Sequence, residues 1–146
     1  MSLLYYGVLL SIMAAAAFID AKLLLIPNKL VLFGLFFSLF WALTAAFSIS
    51  SVSPVIHWVT GLLTGGAPIF LIIIITRGKM GAGDMKLLAM AGAFLGWRPA
   101  LDVLFYSIIS GGAYSTALLL LGKKTLKDHI PFAPFIALAC LIVILL

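Results

Sequence analysis

Two aspartates in an almost wholly apolar chain are the residues equipped for chemistry. The chain has 4 acidic residues, all aspartate. Asp20 closes the first hydrophobic run, and Asp84 stands in Gly81-Ala82-Gly83-Asp84 at the mouth of the fourth. A carboxylate at the edge of a bilayer costs a few kcal/mol, and such a residue implies a function. Two carboxylates at one depth cannot both ionise readily, so they share a proton near neutral pH. The charged one takes a proton from water while the neutral one donates to a carbonyl. That is hydrolysis of a peptide bond with no metal and no covalent intermediate. Sequence does not assign the proton to either aspartate, because coupled groups titrate as a pair.

The surroundings of each aspartate suggest how it is held. Asp20 is followed by Ala21-Lys22-Leu23-Leu24-Leu25-Ile26-Pro27-Asn28. Pro27 lacks an N–H and pushes Ile26 toward an extended conformation, which ends one helix and lets Asn28 cap the next. The segment reads as a tight or re-entrant connection with Asp20 at a helix end. The plainer alternative is an interfacial aspartate balanced by Lys22. At Asp84, Gly81 and Gly83 permit backbone conformations and close approaches closed to other residues. The dipole at a helix N-terminus would favour the charged carboxylate there. A simple helix cap is the plainer reading.

The elements that must position this pair are membrane helices. The composition is 65% hydrophobic and 9% charged, against about a quarter charged in soluble domains. Such a chain cannot cover a water-facing surface. Apolar runs separated by charge and turn signals predict six spans, roughly 3–19, 29–49, 54–75, 85–97, 100–121 and 130–146. The fourth is shorter than the ~20 residues of a full crossing, so it must tilt or begin inside a cavity. Ala14-Ala15-Ala16-Ala17 resembles a signal-peptide cleavage region, but no basic stretch precedes it, and the first run is kept as a helix. The fold class is therefore an all-α membrane protein of six transmembrane helices in a single domain, 1–146.

Charge orients the bundle. Lys22, Lys29, Arg77, Lys79, Lys86, Lys123, Lys124 and Lys127 fall in alternate connections, and Arg98 alone falls in the others. The positive-inside rule makes the cation-rich side cytoplasmic, with both termini outside. Asp20, Asp84 and Asp128 face in, and Asp102 faces out. The dispersed cations follow topology and predict no nucleic-acid partner. Gly61-Leu-Leu-Thr-Gly65 and Gly92-Ala-Phe-Leu-Gly96 have the small-xxx-small spacing of close helix contacts. No internal repeat of transporter type is visible.

Competing catalytic chemistries lack their residues. There is no H-E-x-x-H for zinc and no G-x-S-x-G serine elbow. His57 and His129 fall on opposite sides of the predicted bundle and cannot share a metal. Cys140 is the 1 cysteine, so no intrachain disulfide forms; it reads as a small core- or lipid-facing residue.

Three motifs resemble one family. Gly81-Ala82-Gly83-Asp84-Met85-Lys86-Leu87-Leu88-Ala89 is similar to the G-x-G-D-x-K-L-L-A signature of type IV prepilin peptidases, a branch of the GxGD aspartyl proteases. Asp20 with Ile26-Pro27-Asn28 resembles that family's first catalytic aspartate and its proline-containing turn. Ile130-Pro131-Phe132-Ala133-Pro134-Phe135-Ile136-Ala137-Leu138-Ala139 resembles the late P-F-G-P-F-L-A-L segment. The resemblance implies an aspartic-type endopeptidase of a prokaryotic inner membrane. It would remove the short basic leader of prepilins or pseudopilins at the cytoplasmic face, with no cofactor. It makes Asp20 and Asp84 the catalytic pair, supported by Pro27, Asn28, Gly81, Gly83, Lys86, Pro131 and Pro134. The chain lacks the paired-cysteine cytoplasmic domain of the bifunctional, N-methylating members and so resembles the minimal peptidases of Flp-type, tight-adherence systems, or an isolated peptidase domain of a larger relative. Ala133 stands where the family usually has glycine, and Asn28 where some members have aspartate.

Two rival functions use the same residues. A small transporter or channel would bind protons or cations at Asp20 and Asp84, and a pilus-assembly scaffold would tolerate neutral residues at both. The remaining polar groups have plainer roles. Asp128 reads as a counter-ion in a basic loop, Asp102 as a helix-start residue, and His57 and His129 as interfacial or loop histidines. Lys22 and Lys86, each two residues beyond an aspartate, either follow topology or stabilise developing charge.

Overall fold

The computed structural model of the chain describes residues 2–77, 81–122 and 130–146. Lys79, Lys123, Lys124, Lys127, Asp128 and His129 lie outside the described residues. Among the described residues six helices run in order: α1 (Ser2–Leu23), α2 (Asn28–Ser48), α3 (Ser53–Ile75), α4 (Ala82–Leu95), α5 (Trp97–Leu120) and α6 (Ala133–Leu145). No strand occurs among the described residues. A helix satisfies its own backbone, which is what a chain this poor in polar side chains requires in lipid. Pro54 and Pro134 lie in the first turns of α3 and α6, where the missing N–H costs least, whereas Pro68 lies inside α3.

Among the described residues four helices, α1, α2, α3 and α5, are long and apolar enough to cross a membrane. Their outer faces carry exposed Phe33, Phe36, Phe40, Phe105 and Ile75, as expected of surfaces meeting hydrocarbon. The short fourth span has a structural explanation. At 14 residues, α4 is about 21 Å long, and it touches all five other helices. From Leu87 to Leu95 every residue but Ala89 is buried. It is the bundle's central rod, shielded from lipid by its neighbours. The core it anchors includes Leu9, Met13, Ile69, Val103, Ile136 and Cys140, each fully buried.

Glycines set how closely α3 approaches α4. A Cβ at Gly61 would land on the carbonyl oxygen of Gly92, and one at Gly92 would land on that of Gly61. A Cβ at Gly65 would strike the carbonyl oxygen of Leu88. The two small-xxx-small motifs are thus two sides of one backbone-to-backbone seam. Across the neighbouring α2–α3 contact, Trp58 Nε1 donates to the buried Ser38 Oγ at 2.9 Å.

Several predicted boundaries move. The first helix continues three residues past Asp20, so the aspartate sits inside the last turn of α1 and not at its end. Leu24, at φ 51, turns the chain out of the helix, and the link to α2 is short and extended. Asn28 is the first residue of α2, while Pro27 occupies the cap position with no side-chain cap bond. The fifth helix begins at Trp97, because Gly96 at φ 88 turns the chain within a single residue. That leaves Asp102 beyond the first turn of α5, exposed.

Candidate active site

The first-motif aspartate is held from two directions. Its backbone carbonyl accepts the N–H of Leu24 at 2.9 Å, completing α1. Its side chain is buried, and Oδ2 accepts the backbone N–H of Ala133 at 3.0 Å. The latter contact explains the late motif. Pro134 has no N–H, and Phe135 and Ile136 both donate to the carbonyl of Phe132; the amide of Ala133 is left to point out of the helix end. Phe132 fixes that end by packing on Gly111 of α5, where a Cβ would come within 2.8 Å of the ring. A carboxylate at a helix N-terminus meets both a donor and the positive end of the dipole.

Asp84 lies in the first turn of α4, just ahead of the apolar stretch that starts at Met85. The flanking glycines serve close approach and not unusual backbone angles. Gly81 has φ −68, and Gly83 is helical. A Cβ at Gly83 would stand 3.2 Å from Cβ of Ile26, so glycine lets the α1–α2 link lie down on α4. A Cβ at Gly81 would stand 3.2 Å from Asp84 Oδ2, so glycine leaves that side of the carboxylate open.

Asp20 and Asp84 line one cavity of about 270 Å³, together with Ile26, Asn28, Gly81, Gly83 and Lys86. Lys86 Nζ donates to Asn28 Oδ1 at 3.0 Å, so Asn28 ties α2 to α4 in place of capping its own helix. Lys22 does not balance Asp20: its ammonium lies over the Phe18 ring, 4.2 Å from the centroid. Of the supporting positions, Pro27 caps the start of α2 and Pro134 lies in the first turn of α6, while Pro131 precedes that helix without lining the cavity. The amide of Ala133 had one trace in the sequence, a proline marking a helix start in the late motif.

The other sequence-flagged groups lie elsewhere. His57 is exposed, and its ring packs against Gly96, where a Cβ would collide with it. It borders a second cavity of about 300 Å³ with Tyr5, Trp41 and Phe94, formed by the helix ends opposite those of Asp20 and Asp84. Arg98 lies over the Trp97 ring, 5.0 Å from its centroid.

Comparison with known proteins agrees with the family resemblance. Residues 7–116 match the model of the type IV leader peptidase family. A prepilin leader peptidase/N-methyltransferase of Bacillus subtilis (strain 168) is 37% identical over 133 residues, covering 89% of this chain and 50% of that protein. Those of Aeromonas salmonicida (strain A449) and Pseudomonas aeruginosa are 33% and 35% identical, covering 88% and 95% of this chain and 44% and 46% of theirs. The chain spans about half the length of these curated relatives. No solved structure matches it significantly. A family model matching most of the chain, and identities of a third or more along nearly its full length, establish that it belongs to the type IV leader peptidase family.

Proposed function

We propose that this chain is a membrane aspartyl endopeptidase that removes a short basic leader from prepilin-like substrates. One observation carries the mechanism. Asp20 and Asp84, from helices far apart in sequence, share a single cavity at the edge of an apolar bundle. The cavity has room for several waters at ~30 Å³ each. One carboxylate takes a proton from a water lying between them as its oxygen attacks the scissile carbonyl. The other gives its proton to the carbonyl oxygen, and proton return to the leaving nitrogen releases the two peptides. Neither step needs a metal or cofactor.

Further parts of the proposal concern topology and scope. In our reading α4 and α6 complete a six-span bundle with both termini outside. Lys22, Lys29, Arg77 and Lys86 lie at the same helix ends as the cavity, which supports a cytoplasmic site in an inner membrane. We assign residues 1–146 peptidase activity as one domain and assign no methyl transfer to them.

The test is leader removal from a co-expressed prepilin by wild type, Asp20→Asn and Asp84→Asn, with membrane levels checked by blot. Wild-type cleavage with loss in both variants at equal protein level is the expected result. Near wild-type cleavage by either variant rules out the paired mechanism. A wild type inactive on several prepilins would favour a transporter or scaffold.

A further inference from the structure

We propose that the backbone amide of Ala133 is a positioning group that holds Asp20 as the charged, proton-accepting member of the pair and leaves the proton on Asp84. The inference rests on the two-aspartate reading above and adds to it an asymmetry that the motifs do not contain. Its basis is geometric. Oδ2 of Asp20 accepts the Ala133 N–H at 3.0 Å in a buried setting, at the end of α6 where the dipole is positive. An N–H can only donate, so the oxygen it meets must keep its lone pair free, and a charged acceptor makes the stronger bond. Asp84 has no such partner among the described residues, and a protonated carboxyl supplies the donor that a substrate carbonyl needs.

The other groups near Asp20 do not reverse this asymmetry. From α4, Asp84 and Lys86 line the cavity, and from α2 Asn28 does. Lys86 is engaged by Asn28, and Lys29 on α2 is exposed. On α1, Lys22 lies over Phe18. On α6, Cys140 is buried about two turns beyond Ala133. With Oδ2 engaged by the Ala133 N–H, the proposal assigns Oδ1 of Asp20 to take the proton from water.

The experiment removes the donor without removing the residue. Incorporation of lactic acid at position 133 replaces the N–H with an ester oxygen, and Ala133→Pro removes the same donor by ordinary mutagenesis. Ala133→Gly keeps it. Leader removal from an intact prepilin is followed against pH for the full chain in membranes. Without the donor, ionising Asp20 is harder, so the acid limb of kcat should move up by about one to two pH units. At mildly acidic pH that is a loss of roughly tenfold or more, with KM changed far less. Ala133→Gly should leave the limb in place. A loss of equal size at every pH, or the same shift in Ala133→Gly, overturns the proposal. So does failure of both donor-less variants to accumulate while Ala133→Gly does, because the amide would then be structural. An unshifted profile beside inactive Asp20→Asn and Asp84→Asn sinks the role of Ala133 alone, whereas active aspartate variants sink the dyad itself.

Discussion

Gly61→Ala should inactivate the protein from a helix that contributes nothing to the cavity. The new methyl would fall on the carbonyl oxygen of Gly92 and lie 2.8 Å from both the Gly92 carbonyl carbon and the Gly96 Cα. All three neighbours are backbone, so no side chain can swing aside. Opening 2.8 Å to an ordinary 3.4 Å contact requires α3 and α4 to part by about 0.6 Å, and the carbonyl oxygen demands more. Overpacking of this kind costs about 1–3 kcal/mol. The consequence for activity is larger than for stability. Asp84 rides on α4, whereas Asp20 rides on α1 and is pinned to α6, so displacing α4 changes the separation of the pair. A misplacement near 1 Å costs on the order of 10²-fold in rate. The assay is leader removal under single-turnover conditions, with thermal melting in detergent to follow the fold. Gly112→Ala is the control, because a Cβ there meets nothing within 4 Å. Cleavage by Gly61→Ala within twofold of wild type, with an unchanged melting midpoint, would refute the account of the seam.

Two other outcomes follow from the geometry. Lys86→Leu should weaken the tie between α2 and α4 by about 0.5–1.5 kcal/mol and slow cleavage severalfold, while Asn28→Asp, which restores a charged partner, should keep near wild-type rates. Gly96→Ala should destabilise by more than about 1–2 kcal/mol, seen as a lower melting midpoint, because φ 88 is strained for alanine and the methyl meets the His57 ring.

The helices were legible because their cause is local. An apolar run must satisfy its own backbone in lipid, and charged or turn residues punctuate the runs, so six elements could be read with ends wrong by a few residues. Pro27 and Pro134 mark helix starts by the same local logic. The boundary errors were also local. Nothing near Asp20 announces that α1 runs on to Leu23 and exits through a left-handed leucine. Gly96 compressed the α4–α5 turn to one residue, which pulled Trp97, Arg98 and Pro99 into α5.

By itself, the sequence determined the class of protein, the number of helices, the two aspartates and the glycine pairs able to bring backbones together. Those features depend on residue type and spacing alone. Tertiary structure decided which groups meet. Only packing could make α4 the central helix, match Gly61 to Gly92, or turn Asn28 from a cap into the acceptor of Lys86. The bond from Ala133 to Asp20 joins positions 113 residues apart. Its donor is a backbone amide that every residue but proline possesses, so Pro134 could mark the helix start but no side chain could name the partner. The contact exists because Phe132 on Gly111 and the α1–α6 packing bring that one amide to the carboxylate.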